Sequence, residues 1–581
     1  MLLTLPLRRA RLLFGFAPVV LVLLSLPLVA QGFQPVRARH AMVASVHPQA
    51  SAAGATIMQQ GGNAVDAAVA TGFALAVVHP SAGNVGGGGF MLYRTAKGEI
   101  HFLDFREKAP AAAAADMYLD KQGNVTTESQ YGYRSAGVPG TVAGLVEAER
   151  RWGKMGLAKV MAPAIRLARD GVMVTQYEAG LLRDVELARD PESRRIFQRN
   201  GQYFERDEIF KQPELASTLE RIARNPDEFY HGHMAEQIAA AIQRGGGVIT
   251  TADFAAYKVV ERVPVHGTYR GYDVYSAPPP SSGGVALIEM LNILEGFDLH
   301  ATGRNSAQHL HLVAEAYRRA FFDRSVFLGD PDFASIPVAQ LIDKKYAADW
   351  RASIDPNKAS SSADLQRPSM AQLDQSADLR TPFVGKEKQD TTHYSIVDEA
   401  GDAVAVTTTL NDSFGSRATL PGLGFLLNDE MDDFASKAGV PNSYGLIQGD
   451  TNAIAPGKRP LSTMAPTMVV KDGRLLLVLG SPGGPSIVTT VANVLINVVD
   501  FGEDIQRAVN APRFHHQWMP DELRVEAWQL SPDTLALLEK MGHKIKRTAS
   551  WGDAECVAID VASGERLGAS DARNGGSAVG W

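Results

Sequence analysis

The sequence predicts a globular α/β (α+β) fold, and three features indicate it. A helical stretch, Ala64–Val78, follows the capping residue Asn63. Two runs rich in beta-branched residues, 391–397 and 403–410, flank a polar turn and predict a hairpin. A strand, a glycine loop and a helix follow one another between residues 474 and 499. Helices and strands are therefore mixed along the chain, without a tandem repeat.

Composition limits the classes of protein that this chain can represent. With 581 residues, of which 45% are hydrophobic, it can bury a large core. The 57 basic and 64 acidic residues give a net charge of -7, and no long basic run follows the N-terminus, so we expect no nucleic-acid partner. The single cysteine, Cys556, excludes an intrachain disulfide, and its predicted strand favours packing as a small hydrophobe over catalysis.

The N-terminus is typical of an export signal spanning residues 1–30. Three arginines within the first 11 residues precede an apolar run, 12–30, which ends in Leu-Val-Ala before Gln31. The run approaches the roughly 20 residues of a membrane span, so an uncleaved anchor is the alternative. Pro18 and Pro27 favour cleavage. We expect export to a bacterial periplasm, with secretion or membrane tethering as alternatives.

A polar segment, 353–390, precedes the hairpin and predicts an exposed loop. If the loop were cut before Thr391, that threonine would begin a chain. A free N-terminal threonine supplies its own base, because an alpha-amine with a pKa of about 7.7 to 8 is substantially neutral at working pH. On the residues alone, however, two threonines at a strand start are more often plain strand composition.

Two glycine-rich segments have alternative interpretations. Gly483 and Gly484 precede a predicted helix, where their N–H groups would suit an anion or a developing oxyanion, while a tight turn is the alternative. No Walker lysine follows, which disfavours nucleotide phosphate. The segment 83–89 lies before a strand, the wrong order for a dinucleotide fold. It predicts close backbone packing, with a site wall as the alternative.

Neither a metal site nor a serine nucleophile elbow is predicted. His309 and His311 lie two residues apart in a predicted helix, 306–322, and therefore do not share a face. His515 and His516 are adjacent, which is not a zinc spacing. No Gly-x-Ser-x-Gly occurs. We expect no metal and no cofactor.

Ten segments spread over the chain resemble the gamma-glutamyltranspeptidase (glutathione hydrolase) family of N-terminal-nucleophile enzymes. They are residues 61–68, 103–107, 278–284, 323–325, 328–332, 391–395, 428–434, 458–464, 481–484 and 511–516. The resemblance implies a four-layer αββα sandwich. It also implies a precursor that cuts itself between Asp390 and Thr391 into a large subunit, 31–390, and a small subunit, 391–581, which form a heterodimer intertwined in one core.

The implied activity is cleavage of gamma-glutamyl amides such as glutathione and its conjugates. Thr391 would form a gamma-glutamyl ester, with its own amine as base, and pass the group to water or to amino acid or dipeptide acceptors. Thr409 matches the residue that orients the nucleophile, and Gly483 and Gly484 match the oxyanion donors.

The resemblance also assigns the substrate pocket. Arg106, Ser462 and Thr463 match the positions that hold the alpha-carboxylate, for which an arginine fork is suited. Asn411, Glu430 and Asp433 match those that hold the alpha-ammonium. Tyr444, within 439–450, matches the lid loop, which favours gamma-glutamyl peptides over cephalosporin side chains.

Some positions depart from the family pattern, and two other functions compete. Glu430 is glutamine in some relatives, Thr463 replaces a common serine, and Pro485 and Ser486 are unusual after the glycine pair; we expect tuning rather than loss. An acylase of the same fold, acting on glutaryl or cephalosporin amides, would need no ammonium site. A processed but inactive exported binding protein would lose the nucleophile or the oxyanion donors.

Overall fold

The computed structural model describes residues 34–368 and 391–581. The predicted export signal, Asp390 and residues 369–389 lie outside that part. Residues Pro35–Trp581 form one compact unit.

The strands of the described residues supply two large sheets and two small ones. In chain order they are β1 (Val36–Ala38), β2 (Met42–Ser45), β3 (Gly88–Arg94), β4 (Ile100–Phe105), β5 (Val172–Met173), β6 (Ile209–Phe210), β7 (Val260–Arg262), β8 (Val265–Tyr269), β9 (Tyr272–Ser276), β10 (Thr392–Val397), β11 (Ala403–Thr409), β12 (Thr467–Lys471), β13 (Arg474–Leu479), β14 (Phe514–His515), β15 (Leu523–Glu526), β16 (Ile545–Thr548), β17 (Cys556–Ile559), β18 (Arg566–Ala569) and β19 (Ser577–Gly580).

The helices cover the outer faces of the two large sheets. They are α1 (Pro48–Gln59), α2 (Ala64–Val78), α3 (Thr141–Trp152), α4 (Leu157–Asp170), α5 (Gln176–Leu181), α6 (Pro191–Gln198), α7 (Pro213–Arg224), α8 (Glu228–His231), α9 (His233–Arg244), α10 (Thr251–Ala256), α11 (Gly283–Leu294), α12 (Leu299–Thr302), α13 (Ala307–Phe327), α14 (Val338–Leu341), α15 (Lys344–Ala352), α16 (Ser486–Val499), α17 (Ile505–Asn510) and α18 (Pro532–Lys540). Among the described residues, no helix combines the length and apolarity that a membrane crossing requires.

Four layers result from the way these elements pack. One antiparallel sheet has the order β19-β2-β10-β11-β3-β4-β7, and the other has the order β1-β18-β17-β13-β12-β9-β8. The sheets face each other through β10, β11, β13 and β17, while α1, α2 and α3 cover the first sheet and α11 and α17 cover the second. Each sheet combines strands from before and after residue 391.

The hairpin of β10 and β11 lies at the centre of the first sheet, as predicted. Thr392 pairs with Thr408 and Val397 with Ala403, and the outer edges of the hairpin pair with β2 and β3. Every residue of both strands is buried, because one face meets helices and the other meets the second sheet. Burial on both faces explains why the two runs are not alternately polar and apolar.

The predicted helices are confirmed, and one is longer than predicted. Asn63 and Asp66 form a reciprocal capping box at the start of α2, which is buried along its whole length between its neighbours. The helix predicted over 306–322 begins after its cap Ser306 but continues to Phe327. This extension places Asp323 and Arg324 on a helix. Cys556 is buried in β17, where burial raises the pKa of its thiol.

In residues 353–368, the described part of the predicted loop, the chain forms no helix or strand, and most residues are exposed or half-buried, but three are not. Ile354, Ser362 and Leu365 are buried. The Ser362 carbonyl accepts the indole N–H of Trp518 at 3.0 Å, and the Ser362 backbone N–H donates to the Asp521 carboxylate at 3.0 Å. Ser362 is thus a buried polar residue within a mostly exposed segment, and composition alone does not distinguish it from its solvated neighbours.

Candidate active site

Thr391 and Thr409 meet at one end of the central hairpin. Thr391 directly precedes β10 and is buried, and its hydroxyl donates to the Thr409 hydroxyl oxygen at 3.2 Å. The same oxygen of Thr409 accepts the N–H of Asn411 at 2.9 Å. The Asn411 N–H therefore fixes the Thr409 hydroxyl, and Thr409 in turn orients the Thr391 hydroxyl.

The glycines at 87–89 let two strands approach closely behind this pair. A Cβ on Gly87 would lie 2.0 Å from the carbonyl oxygen of Thr409, and one on Gly89 would lie 2.4 Å from that of Thr407. The predicted close backbone packing is thus observed, and it supports the strand that carries Thr409.

The loop before α16 presents Gly483 and Gly484 to the same region. Their φ angles are +133° and +53°, and a Cβ on Gly484 would lie 2.8 Å from the Tyr444 ring. Their carbonyls accept the N–H groups of Ser486 at 3.0 Å and Ile487 at 3.1 Å. Neither glycine N–H has a hydrogen-bond acceptor among the described residues. The segment is both a tight turn and a pair of available donors, so the two interpretations are compatible.

His393 joins this loop to β10, a role that sequence reasoning missed. Its ring lies against Gly480, where a Cβ would be 2.3 Å away. The two ring nitrogens pair with the hydroxyls of Thr407 at 2.8 Å and Ser395 at 3.0 Å. Because Ser395 donates to the Glu555 carbonyl, it accepts from the ring. Burial lowers the pKa of His393 to about 3, so the ring stays neutral.

One cavity brings most of the predicted residues together. Its lining comprises Arg106, Arg324, Thr391, Thr409, Asn411, Glu430, Asp433, Tyr444, Leu446, Leu461, Ser462, Thr463, Met464, Gly484, Pro485 and Ile487. Of the predicted site residues, Gly483 lies next to the lining through its bond to Gly484, and Asp390 lies outside the described residues. The cavity therefore contains the predicted nucleophile, the predicted orienting threonine and both predicted charge-binding groups.

In the precursor, the predicted carboxylate-binding and ammonium-binding residues bind each other. Arg106, which follows β4, donates to Glu430 and to Asp433, and its Nε donates to the Pro460 carbonyl at 3.3 Å. Burial lowers the pKa of the Arg106 guanidinium, but the charges of Glu430 and Asp433 raise it by more. The arginine is therefore a permanent cation, and the zwitterion-binding residues are paired before a substrate arrives.

Three carboxyl groups lie close to the single guanidinium of Arg106. Glu107 lies 3.6 Å from Arg106, beside Glu430 and Asp433. Burial raises the pKa of Glu430 well above its usual range and also raises that of Asp433. Burial raises the pKa of Glu107 to about 7. The negative charge of this group consequently depends on pH near neutrality.

The remaining predicted polar residues are fixed by short local contacts. Asn411 has a φ of +83°, and its side-chain amide donates to the Asp429 carbonyl at 3.0 Å. The Thr463 hydroxyl donates to the Gly484 carbonyl at 2.8 Å, which couples the predicted carboxylate site to the glycine loop. The Ser462 hydroxyl oxygen accepts the Met464 N–H at 3.1 Å.

Tyr444, the residue predicted to belong to a lid, packs against the glycine loop. Its ring lies over Gly484, and its hydroxyl donates to the Asn411 carbonyl at 2.7 Å. The lid loop is also held at its base, because the Ser443 N–H donates to Asp432 at 3.0 Å.

Arg324 is the second arginine of the cavity, and sequence reasoning gave it no role. It lies within one of the ten resembling segments, 323–325, so the signal was present without an assignment. Its position depends on α13 extending past residue 322.

One group of side chains outside this cavity has the composition of a metal site. Among the described residues, ligand atoms of His311, Glu315 and His543 lie within 4.8 Å of one another. Sequence spacing did not predict it, because His543 lies far along the chain. Glu315 already accepts from Arg318 at 3.3 Å and Arg319 at 2.6 Å, so the group's negative charge is balanced by protein cations.

Comparisons with known proteins show which family the chain belongs to. Residues 50–581 match the family described as Gamma-glutamyltranspeptidase. A glutathione hydrolase proenzyme of Escherichia coli (strain K12) is 50% identical over 547 residues, which cover 93% of this chain and 92% of that protein.

Two solved structures have a similar fold. A cephalosporin acylase from Bacillus halodurans superposes with a TM-score of 0.80 at 28% identity, over 94% of this chain and 97% of that chain. A Helicobacter pylori gamma-glutamyltranspeptidase gives 0.55 at 45% identity, over 57% of this chain and 96% of that chain. The four-layer αββα fold that the resemblance implies is confirmed. The chain belongs to the gamma-glutamyltranspeptidase family and is an enzyme of that family.

Proposed function

We propose that the chain cuts itself before Thr391 and then cleaves glutathione and other gamma-glutamyl amides, passing the glutamyl group to water or to amino acid or dipeptide acceptors. The observation that carries this proposal is the hydroxyl of Thr391, held 3.2 Å from Thr409 in a cavity that also contains Gly484, Arg106 and the Glu430–Asp433 carboxyl pair.

Self-cleavage uses the same hydroxyl. In the precursor, the nitrogen of Thr391 belongs to the peptide bond with Asp390, so its amine is not yet available. The Thr391 oxygen attacks the Asp390 carbonyl carbon, the C–N bond breaks, and the nitrogen takes a proton. The resulting ester is hydrolysed by water, which leaves a carboxylate on Asp390 and a free amine on Thr391.

Turnover follows once the amine is free. The Thr391 amine takes the hydroxyl proton as the oxygen attacks the gamma-carbonyl carbon of the donor. The N–H groups of Gly483 and Gly484 are the donors available to the oxyanion. The amide C–N bond then breaks, the departing amine receives the proton, and a gamma-glutamyl ester remains. Water or an acceptor amine attacks this ester and regenerates Thr391.

Recognition of the donor follows from the charges that line the cavity. The alpha-carboxylate of the donor is assigned to Arg106, Ser462 and Thr463, and the alpha-ammonium to Asn411, Glu430 and Asp433. Since Arg106 already contacts Glu430 and Asp433, a zwitterion inserts between opposite charges and replaces that contact with two of its own. A donor with only one of these charges would leave a buried partner unpaired, at a cost of several kcal/mol.

The two chains produced by cleavage are assigned to one heterodimer. In one sheet, β10 and β11 of the small subunit lie between β2 and β3 of the large subunit, and β19 of the small subunit pairs with the other edge of β2. Separating the subunits would expose the buried edges of β10 and β11, which supports a permanent association.

An acylase acting on glutaryl or cephalosporin amides is the second candidate, because the Bacillus halodurans structure bears that name. Glu430 and Asp433 favour the first candidate, since glutaryl groups carry no ammonium. The lid residue Tyr444, buried over the cavity, also favours small gamma-glutamyl donors. An inactive binding protein is disfavoured because Thr391, Gly483 and Gly484 are all present.

Export to a bacterial periplasm is also part of the proposal. Its support is the arginine-flanked apolar run at residues 12–30. Cell fractionation with N-terminal sequencing of the large subunit tests it: a start near Gln31 in the periplasmic fraction is expected, and an intact N-terminus in the cytoplasm would contradict it.

The donor assignment is tested with purified protein and gamma-glutamyl p-nitroanilide. We expect release of p-nitroaniline by the wild type and none above background by Thr391→Ala. Cleavage of glutaryl p-nitroanilide at a higher kcat/KM than the gamma-glutamyl donor would favour the acylase instead.

A further inference from the structure

Arg324 is buried in the wall of the cavity yet has no carboxylate bound to it. It lies on α13, and only 2% of its surface is exposed. The only described hydrogen bond of its side chain runs from Nε to the Ser282 hydroxyl oxygen at 2.9 Å. Nη1 is buried without a hydrogen-bond partner among the described residues.

Two other arginines of α13, in contrast, form ion pairs with carboxylates. Arg318 and Arg319 both pair with Glu315, and Arg318 also pairs with Asp521, so two carboxylates balance the two arginines. Arg324 makes no ion pair with a described residue, and the carboxylate whose charge acts on it is that of Asp433 across the cavity. Burial lowers the pKa of Arg324 to about 10, so it remains charged at neutral pH. A buried cation with unused N–H groups is costly unless a ligand pairs with it.

Its hydrogen bond places Arg324 on the carboxylate side of the cavity. The Ser282 hydroxyl accepts from Arg324 and donates to the Ser462 carbonyl at 2.7 Å, and the Ser282 N–H donates to the same carbonyl at 2.8 Å. Ser462 is one of the residues assigned to the donor carboxylate. Arg106 is instead occupied by Glu430 and Asp433.

We propose that Arg324 is a further substrate-binding residue, which contacts the alpha-carboxylate of the gamma-glutamyl donor together with Arg106 and Ser462. The inference rests on the proposed function, since it deepens the description of the same donor site. Two guanidinium groups then face one carboxylate. Arg324 adds positive charge there, because the charge of Arg106 is partly neutralised by Glu430 and Asp433.

The test compares three donors with the same leaving group. Gamma-glutamyl p-nitroanilide carries both alpha groups, 4-aminobutyryl p-nitroanilide lacks the carboxylate, and glutaryl p-nitroanilide lacks the ammonium. For Arg324→Met we expect kcat/KM on the full donor to fall roughly 10- to 100-fold, the worth of a hydrogen bond to a charged group. The kcat/KM for the 4-aminobutyryl donor should hardly change. The ratio of kcat/KM for the full donor to that for the 4-aminobutyryl donor should therefore fall by the same factor.

Two outcomes overturn the inference. If Arg324→Met lowers kcat/KM equally for all three donors, Arg324 supports the structure rather than the carboxylate. If the preference over the glutaryl donor falls instead, Arg324 acts through Asp433 on the ammonium site. Arg319→Met, which removes a buried arginine outside the cavity, is the matched control and should leave both preferences unchanged.

Two further measurements distinguish a failure of self-cleavage in a variant from a failure of the proposed function. Mass spectrometry shows whether each variant is cut. If Arg324→Met is not cut, the same ratios of kcat/KM are measured on Arg324→Lys, which keeps the positive charge but loses the forked guanidinium. The same outcomes then support or overturn the inference. If the wild type does not prefer the gamma-glutamyl donor, the proposed function itself fails, whatever the variants do.

Discussion

The Thr391 hydroxyl donates to the Thr409 hydroxyl at 3.2 Å, which joins the residue before β10 to the last residue of β11. The Asn411 N–H holds the same Thr409 oxygen from the other side. The hydroxyl of the predicted nucleophile is thus oriented by the strand next to it.

Replacing Thr409 by valine removes this acceptor with little change in shape. We expect kcat to fall about 10-fold, the worth of one hydrogen bond, with KM nearly unchanged because Thr409 is not assigned to the donor charges. Steady-state kinetics on gamma-glutamyl p-nitroanilide measure both constants. Thr409→Ser keeps the hydroxyl and should retain most of the activity. An unaltered kcat in Thr409→Val would show that Thr409 does not orient the nucleophile.

Gly484→Ala tests the oxyanion loop. The new Cβ meets the Tyr444 ring at 2.8 Å, and φ at this position is +53°, so the loop must shift. A misplaced oxyanion donor typically lowers kcat about 100-fold.

The matched control is Gly473→Ala in the turn between β12 and β13. Gly473 also has a positive φ, +75°, but its Cβ would meet no atom within 4 Å. It should lose stability, measured as a lower Tm, and keep its kcat. Similar kcat losses in both variants would mean that backbone strain, not oxyanion binding, explains the effect.

The acidic group of the cavity predicts a pH-dependent KM. Burial raises the pKa of Glu430 and Asp433, and that of Glu107 to about 7. As the pH falls through about 7, the Glu107 carboxyl becomes neutral, so the acidic group attracts the donor ammonium less. KM should therefore rise as the pH falls from about 8 to about 6.

Two controls identify the cause of that rise. Glu107→Gln lacks the group that titrates in this range and should show a weaker dependence. Glutaryl p-nitroanilide carries no ammonium, so its KM should not rise on acidification. An equal rise for both donors would contradict the assignment of Glu430 and Asp433 to the ammonium.

The sequence was sufficient where short motifs keep their neighbours together. The hairpin, the glycine turn before α16 and the capping box of α2 depend on local residues, and each is observed. The family resemblance brought Thr391, Arg106 and Tyr444 to one site, although these residues are far apart in the chain.

Contacts between distant segments could not be predicted in this way. The role of His393 depends on Gly480, and that of Arg324 depends on Ser282 and on five further residues of α13. Composition predicted exposure for Ser362, whereas Asp521 and Trp518 satisfy its backbone in the interior. A polar residue gives the same sequence signal whether its partner is water or a buried charge.

Intact-mass spectrometry of the purified protein under denaturing conditions, with N-terminal sequencing of each piece, tests the central claim most directly. The account predicts two chains, one of which begins at Thr391, and a single uncut chain for Thr391→Ala. A single wild-type chain that stays uncut on prolonged incubation would contradict self-cleavage, and with it the assignment of the Thr391 amine as the catalytic base.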